Sequence, residues 1–299
     1  MDLSRIVMFA NPNGLNEHSL EFIDAFDEKD QVEFTVLSLA EQLARYTNFP
    51  NPDRKKRIED VLANAASEAA GALSDKISSK GMKCGDPEIV KGRFPSSLEA
   101  WFESNVPQLI VKQSLASDGE FGHVSKGDIR LSRNVKVPLL LLNTEFTKNS
   151  SIVVGIPPIF DDKSGLERAL RIIDHSVFWA QKLDSTLHFV HAWELFGESY
   201  LRTHPTQKEL NAELKTAKRN AEKEVETALA EAKIPEELSY SVHIHKGDPT
   251  RVLLAELELL KPTMVILGSV ANEGVKGALL GNTAETVIRR KLSNSLIIK

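Results

Sequence analysis

The order of predicted secondary-structure elements occurs twice in this 299-residue chain, and this repetition limits the folds available to it. Each half begins with a short apolar run bounded by turn residues, residues 5–11 in the first half and 151–157 in the second. Runs of this kind are typical of strands that are buried on both faces of a sheet. The sequence therefore predicts two copies of one fold, repeated with a period of roughly 150 residues.

Alternating helices and strands follow each opening run. Long helices rich in Ala, Glu and Lys are predicted at residues 53–79 and 208–233, and each is followed by a strand that ends in a Lys-Gly turn. Strands that alternate with helices form parallel β-α-β units with right-handed crossovers. The predicted fold is therefore α/β, with two tandem doubly wound five-stranded parallel-sheet domains.

The domain boundaries are predicted at a short polar connector, residues 143–150. This prediction gives one domain at residues 1–145 and a second at residues 150–299. The connector is too short for the halves to move independently, so we expect them to pack together as a pseudo-dimer. The apolar final strands, residues 139–142 and 296–298, are predicted sheet edges that must be covered.

The composition argues against several classes of protein. The net charge of -5 is spread along the chain, so neither nucleic acid nor an anionic membrane surface is expected as a partner. The single cysteine, Cys84, fits a reducing compartment. No apolar run approaches the ~20 residues that span a bilayer, and residues 1–5 lack the basic start of a signal peptide. A cytoplasmic location is expected.

The last part of the chain carries the clearest functional signal. Residues 265–268 form a predicted buried strand, a glycine-bearing loop follows, and a helix begins at Asn282 or Thr283. This order places the backbone amides of a helix N-terminus beside the carboxyl end of a strand, where α/β sheets bind phosphates. A nucleotide site is therefore predicted here.

These features resemble the universal stress protein family, in its tandem two-domain form, over nearly the whole chain. The most specific feature is the family's nucleotide loop, which reads Gly, two residues, Gly, nine residues, Gly, then Ser or Thr. Gly268 and Gly281 stand at the first and third glycine positions. The resemblance implies an adenine nucleotide alpha hydrolase-like fold, and it implies that the final strands of the two halves pair with each other.

The resemblance also implies a cofactor, ATP or a related adenine nucleotide, with its adenosine against the ends of the first and fourth strands. The resemblance implies that the phosphates are approached by Gly268, Ser269 and Asn272. It implies that they accept hydrogen bonds from Gly281, Asn282 and Thr283. It also implies that Leu267 lines the nucleoside pocket.

Several positions depart from the family's pattern. Ala271 replaces the second glycine, and if the position needs positive φ the alanine costs about 1–2 kcal/mol. Asn282 replaces the Ser or Thr but can still accept and donate hydrogen bonds at the helix start. Pro157 stands where the family has a nucleoside-binding aspartate, and its side chain offers neither donor nor acceptor. Asp161 or Asp162 could reach back to replace it.

The first half departs further from the same pattern. Lys112 and Ser125 stand at the first and third glycine positions of the loop, which frame it, and Asn11 takes the aspartate position. The first half is therefore predicted to be a structural partner with a degenerate loop.

Two histidines suggest a different kind of site. His243 and His245 alternate on a predicted strand and share one face, a spacing that can chelate a metal. Because the sequence places no further ligand reliably nearby, ordinary strand histidines are the preferred interpretation and no metal is predicted. Walker and nucleophile-elbow motifs are absent from the sequence, so no catalytic residue is proposed either.

The preferred hypothesis is a non-catalytic stress-response module whose second domain holds an adenine nucleotide. One alternative is an interaction scaffold that binds no nucleotide and acts through dimerisation by its final strands. A second alternative is a weak ATPase, which is disfavoured because no motif places a base or a metal-binding carboxylate. The sequence leaves open whether whole chains form homodimers.

Overall fold

The computed structural model describes residues 3–12, 17–27, 31–42, 52–114, 126–159, 163–198, 202, 207–269 and 280–299. Strands and helices alternate through both halves of the chain. None of the helices in these ranges is long and apolar enough to cross a membrane.

The first half contains the following described elements in chain order. They are β1 Arg5–Ala10, α1 Glu17–Ile23, β2 Glu33–Glu41, α2 Pro52–Ser79, β3 Lys83–Cys84, β4 Glu88–Gly92, α3 Ser96–Ser104, β5 Leu109–Gln113, α4 Lys126–Asn134 and β6 Leu139–Leu142.

The second half repeats this order. Its described elements are β7 Ser151–Gly155, α5 Lys163–Leu183, β8 Thr186–Trp193, α6 Gln207–Glu231, β9 Tyr240–Lys246, α7 Pro249–Leu260, β10 Met264–Gly268, α8 Asn282–Arg290 and β11 Asn294–Ile298.

One continuous sheet runs through both halves, in the order β3-β2-β1-β5-β6-β11-β10-β7-β8-β9. The paired strands within each half are parallel, whereas β6 and β11 are antiparallel where the halves meet. The predicted α/β fold with a mostly parallel sheet is confirmed. The domain limits at residues 145 and 150 stay a prediction, because the sheet continues across them.

The strand count differs from the prediction in the first half. Among the described residues the second half contributes five strands, but β3 and β4 both pair with β2 and bring the first half to six. The interruption falls at residues 85–87, which end in Pro87. The predicted strand that ends in the Lys-Gly turn begins at Glu88, and Lys83–Cys84 form a separate short strand before it. A proline has no amide to donate to a neighbouring strand, which accounts for the break between the two.

The junction between the halves has approximate twofold symmetry. Leu140 lies opposite Leu296, and the flanking pairs are Leu141 with Ser295 and Leu139 with Ile297. In the strand registers, residues 139–142 of β6 occupy the positions that residues 295–298 occupy in β11. The prediction that the halves meet at their final strands is confirmed.

Helices cover both faces of the sheet, and each face has its own apolar core. Successive strand residues point to opposite faces, so Met8 packs into one core and Val7 and Phe9 into the other. Trp179 of α5 is fully buried and its ring lies 5.8 Å from that of Phe22 in α1 of the other half. Trp179 is therefore an anchor between the halves.

Hydrogen bonds hold the connector in place. The side chain of the fully buried Asn294 accepts from the backbone amides of Asn143 and Thr144 at 2.8 and 3.1 Å. Its amide group donates to the carbonyls of Glu145 and Thr263 at 3.2 and 2.8 Å. One side chain at the start of β11 thus fastens the segment that joins the halves.

Candidate functional site

A pocket of about 340 Å³ opens at the carboxyl ends of the second-half strands. Such crevices are where doubly wound sheets bind ligands, and the volume lies at the lower end of the range for small-molecule sites. The lining residues come from β7 and the loop after it, β8, the start of α7, the end of β10 and the start of α8. They are Gly155, Ile156, Pro157, Pro158, Val190, Ala192, Pro249, Leu253, Leu267, Gly268, Gly281, Asn282, Thr283 and Ala284.

Two glycines in the lining allow the close packing of the pocket floor. A Cβ at Gly155 would lie 2.8 Å from Cδ2 of Leu267, and one at Gly268 would lie 3.1 Å from Cδ1 of Ile172. Side chains at these positions would push the neighbouring residues out of place. Gly268 therefore has a packing reason as well as its place in the nucleotide-loop pattern.

Two helix N-termini meet at the pocket. Helix α8 begins after Gly281, and α7 begins at Pro249 after Asp248, whose side chain accepts from the Arg251 amide at 3.0 Å. The hydroxyls of Thr250 and Thr283 lie 3.1 Å apart and link the two helix starts. Helix N-termini carry partial positive charge and amides without intrahelical acceptors. The Asp248 carboxylate already caps α7, whereas α8 has no side-chain cap, so the start of α8 is the part of this edge that favours an anion.

The amide of Gly281 differs from the expected arrangement. It donates to the carbonyl of Ser269 at 2.6 Å, so in this structure it is committed to closing the loop. The amides of the next residues, Asn282, Thr283 and Ala284, are those that a helix leaves without an intrahelical partner. Donation to a phosphate would therefore come from these three amides, and Gly281 would serve as the helix N-cap position.

The pocket lining is uncharged. None of the described residues that line it carries an acid or a base, and most contribute apolar or backbone atoms. Pro157 lies in the lining at the position where the family has an aspartate. The lining can therefore hold an apolar ring system and an anionic group, and it presents no side chain suited to proton transfer.

The structure brings most of the predicted site residues together. Leu267, Gly268, Gly281, Asn282 and Thr283 all line the pocket. The position of Ser269 is different, because it is buried beside the pocket, with its amide donating to the Ile298 carbonyl at 2.9 Å.

Other predicted positions lie outside the described residues. These are Asn272, Ala271, Asp161 and Asp162.

The pocket walls contributed by β8 and α7, notably Val190, Ala192 and Leu253, are not among the residues predicted from the sequence. Val190 and Ala192 lie two residues apart on one strand, so their side chains share one face of the sheet. This spacing is visible in the sequence and indicates that the two residues contribute to the same wall.

The equivalent position in the first half is filled by side chains. Nζ of Lys112 lies 2.9 Å from Oδ1 of the fully buried Asp128, and it also lies over the rings of Phe9 and Phe94. A Cβ at Gly127 would lie only 2.1 Å from the Phe94 ring, which shows how closely that ring covers the start of α4. An ion pair and two aromatic rings thus occupy the place that corresponds to the pocket.

The strand registers correct one sequence assignment. Phe9 pairs with Lys112 in the first half. When the register of β7 with β10 is continued by one residue, Gly155, the second-half equivalent of Phe9, pairs with Leu267. Lys112 therefore corresponds to Leu267, and Gln113, rather than Lys112, corresponds to Gly268. Ser125, the other residue assigned to a framing glycine, lies outside the described residues.

The fold and the pocket define a doubly wound α/β protein with a ligand-binding crevice in its second half. Residues 150–298 match the family model for the universal stress protein family. The chain therefore belongs to the universal stress protein family through its second half.

Similarity to known proteins extends this result. Universal stress protein E of Escherichia coli strain K12 is 42% identical over 57 residues, which is 19% of this chain and 18% of that protein. A crystal structure of a functionally unknown protein from Pseudomonas aeruginosa PAO1 has a TM-score of 0.71 at 19% identity, covering 99% of this chain and 92% of that one. A universal stress protein from Archaeoglobus fulgidus has a TM-score of 0.61 at 20% identity, covering 99% and 98%. These likenesses show that the fold extends over both halves.

Proposed function

We propose that the second half binds an adenine nucleotide and that the chain acts as a non-catalytic, cytoplasmic stress-response module. The observation that carries this proposal is the pocket at the strand ends, with apolar walls on one side and the uncapped N-terminus of α8 on the other. The base and the phosphates of a nucleotide each have a complementary surface there.

The apolar walls suit the base. Four apolar side chains surround the part of the pocket nearest the sheet, and all four are buried by at least nine-tenths of their surface: Ile156, Val190, Leu253 and Leu267. A planar ring that enters this space would remove apolar surface from water on both of its faces.

The helix starts suit the phosphates. The amides of Asn282, Thr283 and Ala284 lie at the N-terminus of a nine-residue helix, which carries partial positive charge. No carboxylate in the described lining opposes an anion. Triphosphate and diphosphate forms should therefore bind more tightly than the nucleoside.

Pro157 changes the expected selectivity. A proline at this position supplies no hydrogen bond to a ribose hydroxyl, whereas the family's aspartate would accept one or two. Recognition should consequently depend on the phosphates and the base more than on the sugar. Adenosine alone should bind weakly, and deoxyATP should bind nearly as well as ATP.

Calorimetric titration of the full chain with ATP tests the proposal, with Gly281→Asp as the informative variant. A Cβ at this position would lie 3.7 Å from the nearest atom, the Ser269 carbonyl oxygen, so the side chain fits. Asp is also a favoured N-cap residue, so folding should be preserved while its carboxylate occupies the amides and repels phosphate.

Gly85→Asp provides a matched control, because its added Cβ would meet no atom within 4 Å and it lies in the first half. ATP should release heat with the unmutated chain and with Gly85→Asp, but not with Gly281→Asp. No heat with the unmutated chain, measured on protein stripped of bound nucleotide, would overturn the proposal.

An interaction scaffold without nucleotide is the second candidate function. It is favoured by Pro157 in the pocket and by the filled position around Lys112 in the first half. Native mass spectrometry of freshly purified protein separates the two candidates, since a nucleotide-sized ligand travelling with the chain supports the binding module. A weak ATPase is the third candidate, and its test is phosphate release in the same preparation.

A further inference from the structure

A cluster of histidines and one glutamate lies on the sheet face covered by α7, outside the nucleotide pocket. His243 and His245 project from β9, and Glu256 projects from α7. One potential ligand atom from each of the three residues lies within 4.8 Å of the other two. From this arrangement we propose that His243, His245 and Glu256 form a binding site for a divalent transition-metal ion, with Zn²⁺ as the preferred ion.

Glu256 is the central observation. Its side chain is only 9% exposed, and Oε1 lies 2.8 Å from Nε2 of His245. Its other oxygen, Oε2, has no hydrogen-bond partner among the described residues and lies 3.5 Å from Nδ1 of His243. Burying a carboxylate oxygen without a hydrogen bond is costly, and metal coordination is one of the few ways to satisfy it.

The distances suit a small tetrahedral ion. Zinc binds imidazole nitrogen and carboxylate oxygen at about 2.0–2.2 Å, so neighbouring tetrahedral ligand atoms lie about 3.3 Å apart. The distances from His245 to Oε1 and from His243 to Oε2 of Glu256, 2.8 and 3.5 Å, bracket that value, and all three ligand atoms lie within 4.8 Å of one another. Only small side-chain movements are therefore needed to place one ion among the three ligands.

His188 would orient one of the ligands. Its Nδ1 lies 3.0 Å from Nε2 of His243, so His243 can keep Nδ1 for the metal while its other ring nitrogen is held by a hydrogen bond. Metal-binding histidines commonly have such a partner, which fixes the tautomer and the ring orientation. His188 comes from β8, the neighbouring strand, so three separate elements build the site.

The ligand set selects the class of metal. Two imidazoles and one carboxylate favour zinc and other late transition metals, whereas Mg²⁺ and Ca²⁺ prefer sites made entirely of oxygen. His245 is 47% exposed, so one side of the site faces solvent and leaves room for a water ligand or an exogenous ligand. The site is separate from the nucleotide proposal and does not depend on it.

The sequence does not predict this site because Glu256 comes from a different element. The alternation of His243 and His245 gave two ligands on one strand, but the third depends on which face of α7 packs against β9. Their strand neighbours in β8, Val190 and Ala192, line the nucleotide pocket, so the two sites share one face of the sheet.

The test uses untagged full-length chain, treated with EDTA, dialysed and titrated with Zn²⁺. We expect one ion per chain, and Co²⁺ in place of Zn²⁺ should give the visible absorption of a tetrahedral site. His245→Asn should abolish tight binding without risk to the fold, because this side chain is half-exposed. Glu256→Gln should do the same, and His188→Ala should lower the affinity about 10–100-fold.

His18→Ala is the matched control, because His18 also contacts a glutamate, with Nδ1 3.0 Å from Oε2 of Glu21, but no second histidine joins this pair among the described residues. It should leave zinc binding unchanged. The proposal would be overturned by a chain that takes up no Zn²⁺, by His245→Asn binding as tightly as the unmutated chain, or by excess Mg²⁺ displacing the bound zinc. Circular dichroism of each variant separates loss of ligand from loss of fold.

Discussion

Leu140 of β6 and Leu296 of β11 lie directly opposite each other at the centre of the antiparallel junction between the two halves. Both are fully buried, and they occupy equivalent positions in their own halves. An isologous interface between two copies of a domain has this arrangement, with one residue meeting its own counterpart near the axis. The chain therefore carries within itself the interface that two separate subunits would otherwise form.

The symmetry of this junction predicts equal sensitivity on its two sides. Leu140→Ala and Leu296→Ala should each lower the free energy of unfolding by about 2–5 kcal/mol, because each leaves a cavity in a buried strand. Urea unfolding of both variants provides the measurement. Val106→Ala, at a side chain that is 65% exposed, should change stability by less than about 0.5 kcal/mol. A large difference between the two leucine variants would contradict the symmetric interface.

A second prediction concerns Asn294 and the connector. Asn294→Ala removes two acceptor contacts and two donor contacts in a buried setting, and it leaves the amides of Asn143 and Thr144 without their acceptor. Unfolding free energy should fall by about 2–4 kcal/mol, since each lost buried hydrogen bond costs about 1 kcal/mol. Limited proteolysis should at the same time cut faster within residues 143–150. Unchanged proteolysis would show that the connector is held by other contacts.

The tandem fold was predictable because it rests on apolar runs that are visible in the sequence. The strands around Leu140 and Leu296 are uninterrupted buried segments, and the framing glycines Gly268 and Gly281 are adjacent to recognisable elements. The contact of Glu256 with the strand histidines was not predictable in the same way. It depends on the rotation of one helix against a sheet, and that rotation is set by packing distributed along the whole helix.

The one-residue error at Lys112 has a similar physical origin. Lys112 ends an apolar run, and the sequence alone treats a lysine there as the start of a loop. In the structure it is a buried strand residue whose charge is matched by Asp128, so β5 extends through Gln113. A buried ion pair between distant residues leaves no periodic signal in the sequence.

The acid sensitivity of the fold should depend on His175 in α5. Burial lowers the pKa of His175 from its ordinary 6.5 to about 4, with Arg171 adding to the effect. Between these values the unfolded chain takes up a proton that the folded chain does not, so stability falls as the pH decreases from 6.5 towards 4. The loss from this residue is at most about 2 kcal/mol at pH 5.

His175→Gln should remove this part of the pH dependence. Its free energy of unfolding relative to the unmutated chain should rise by up to about 2 kcal/mol between pH 7.5 and pH 5. The comparison at pH 7.5, where His175 is neutral in both states, gives the cost of the substitution itself. Parallel stability curves for the two proteins across this range would show that His175 does not contribute.

The last prediction concerns the ion pair that fills the pocket position in the first half. It replaces the two residues of this pair with their second-half equivalents. Asp128 is the third residue of α4, as Ala284 is of α8, and Lys112 corresponds to Leu267. Asp128→Ala alone should lower the unfolding free energy by about 3–5 kcal/mol, because it leaves the buried Lys112 ammonium without its carboxylate.

The double variant Lys112→Leu with Asp128→Ala should recover most of that loss, since it removes both charges and restores the second half's residues. Buried ion pairs replaced by apolar residues are often neutral or stabilising, so we expect the double variant within about 1 kcal/mol of the unmutated chain. A double-mutant cycle by urea unfolding measures the coupling. If the double variant is as unstable as Asp128→Ala, the ion pair acts through Ser114, whose hydroxyl donates to Asp128 at 3.0 Å, rather than through Lys112.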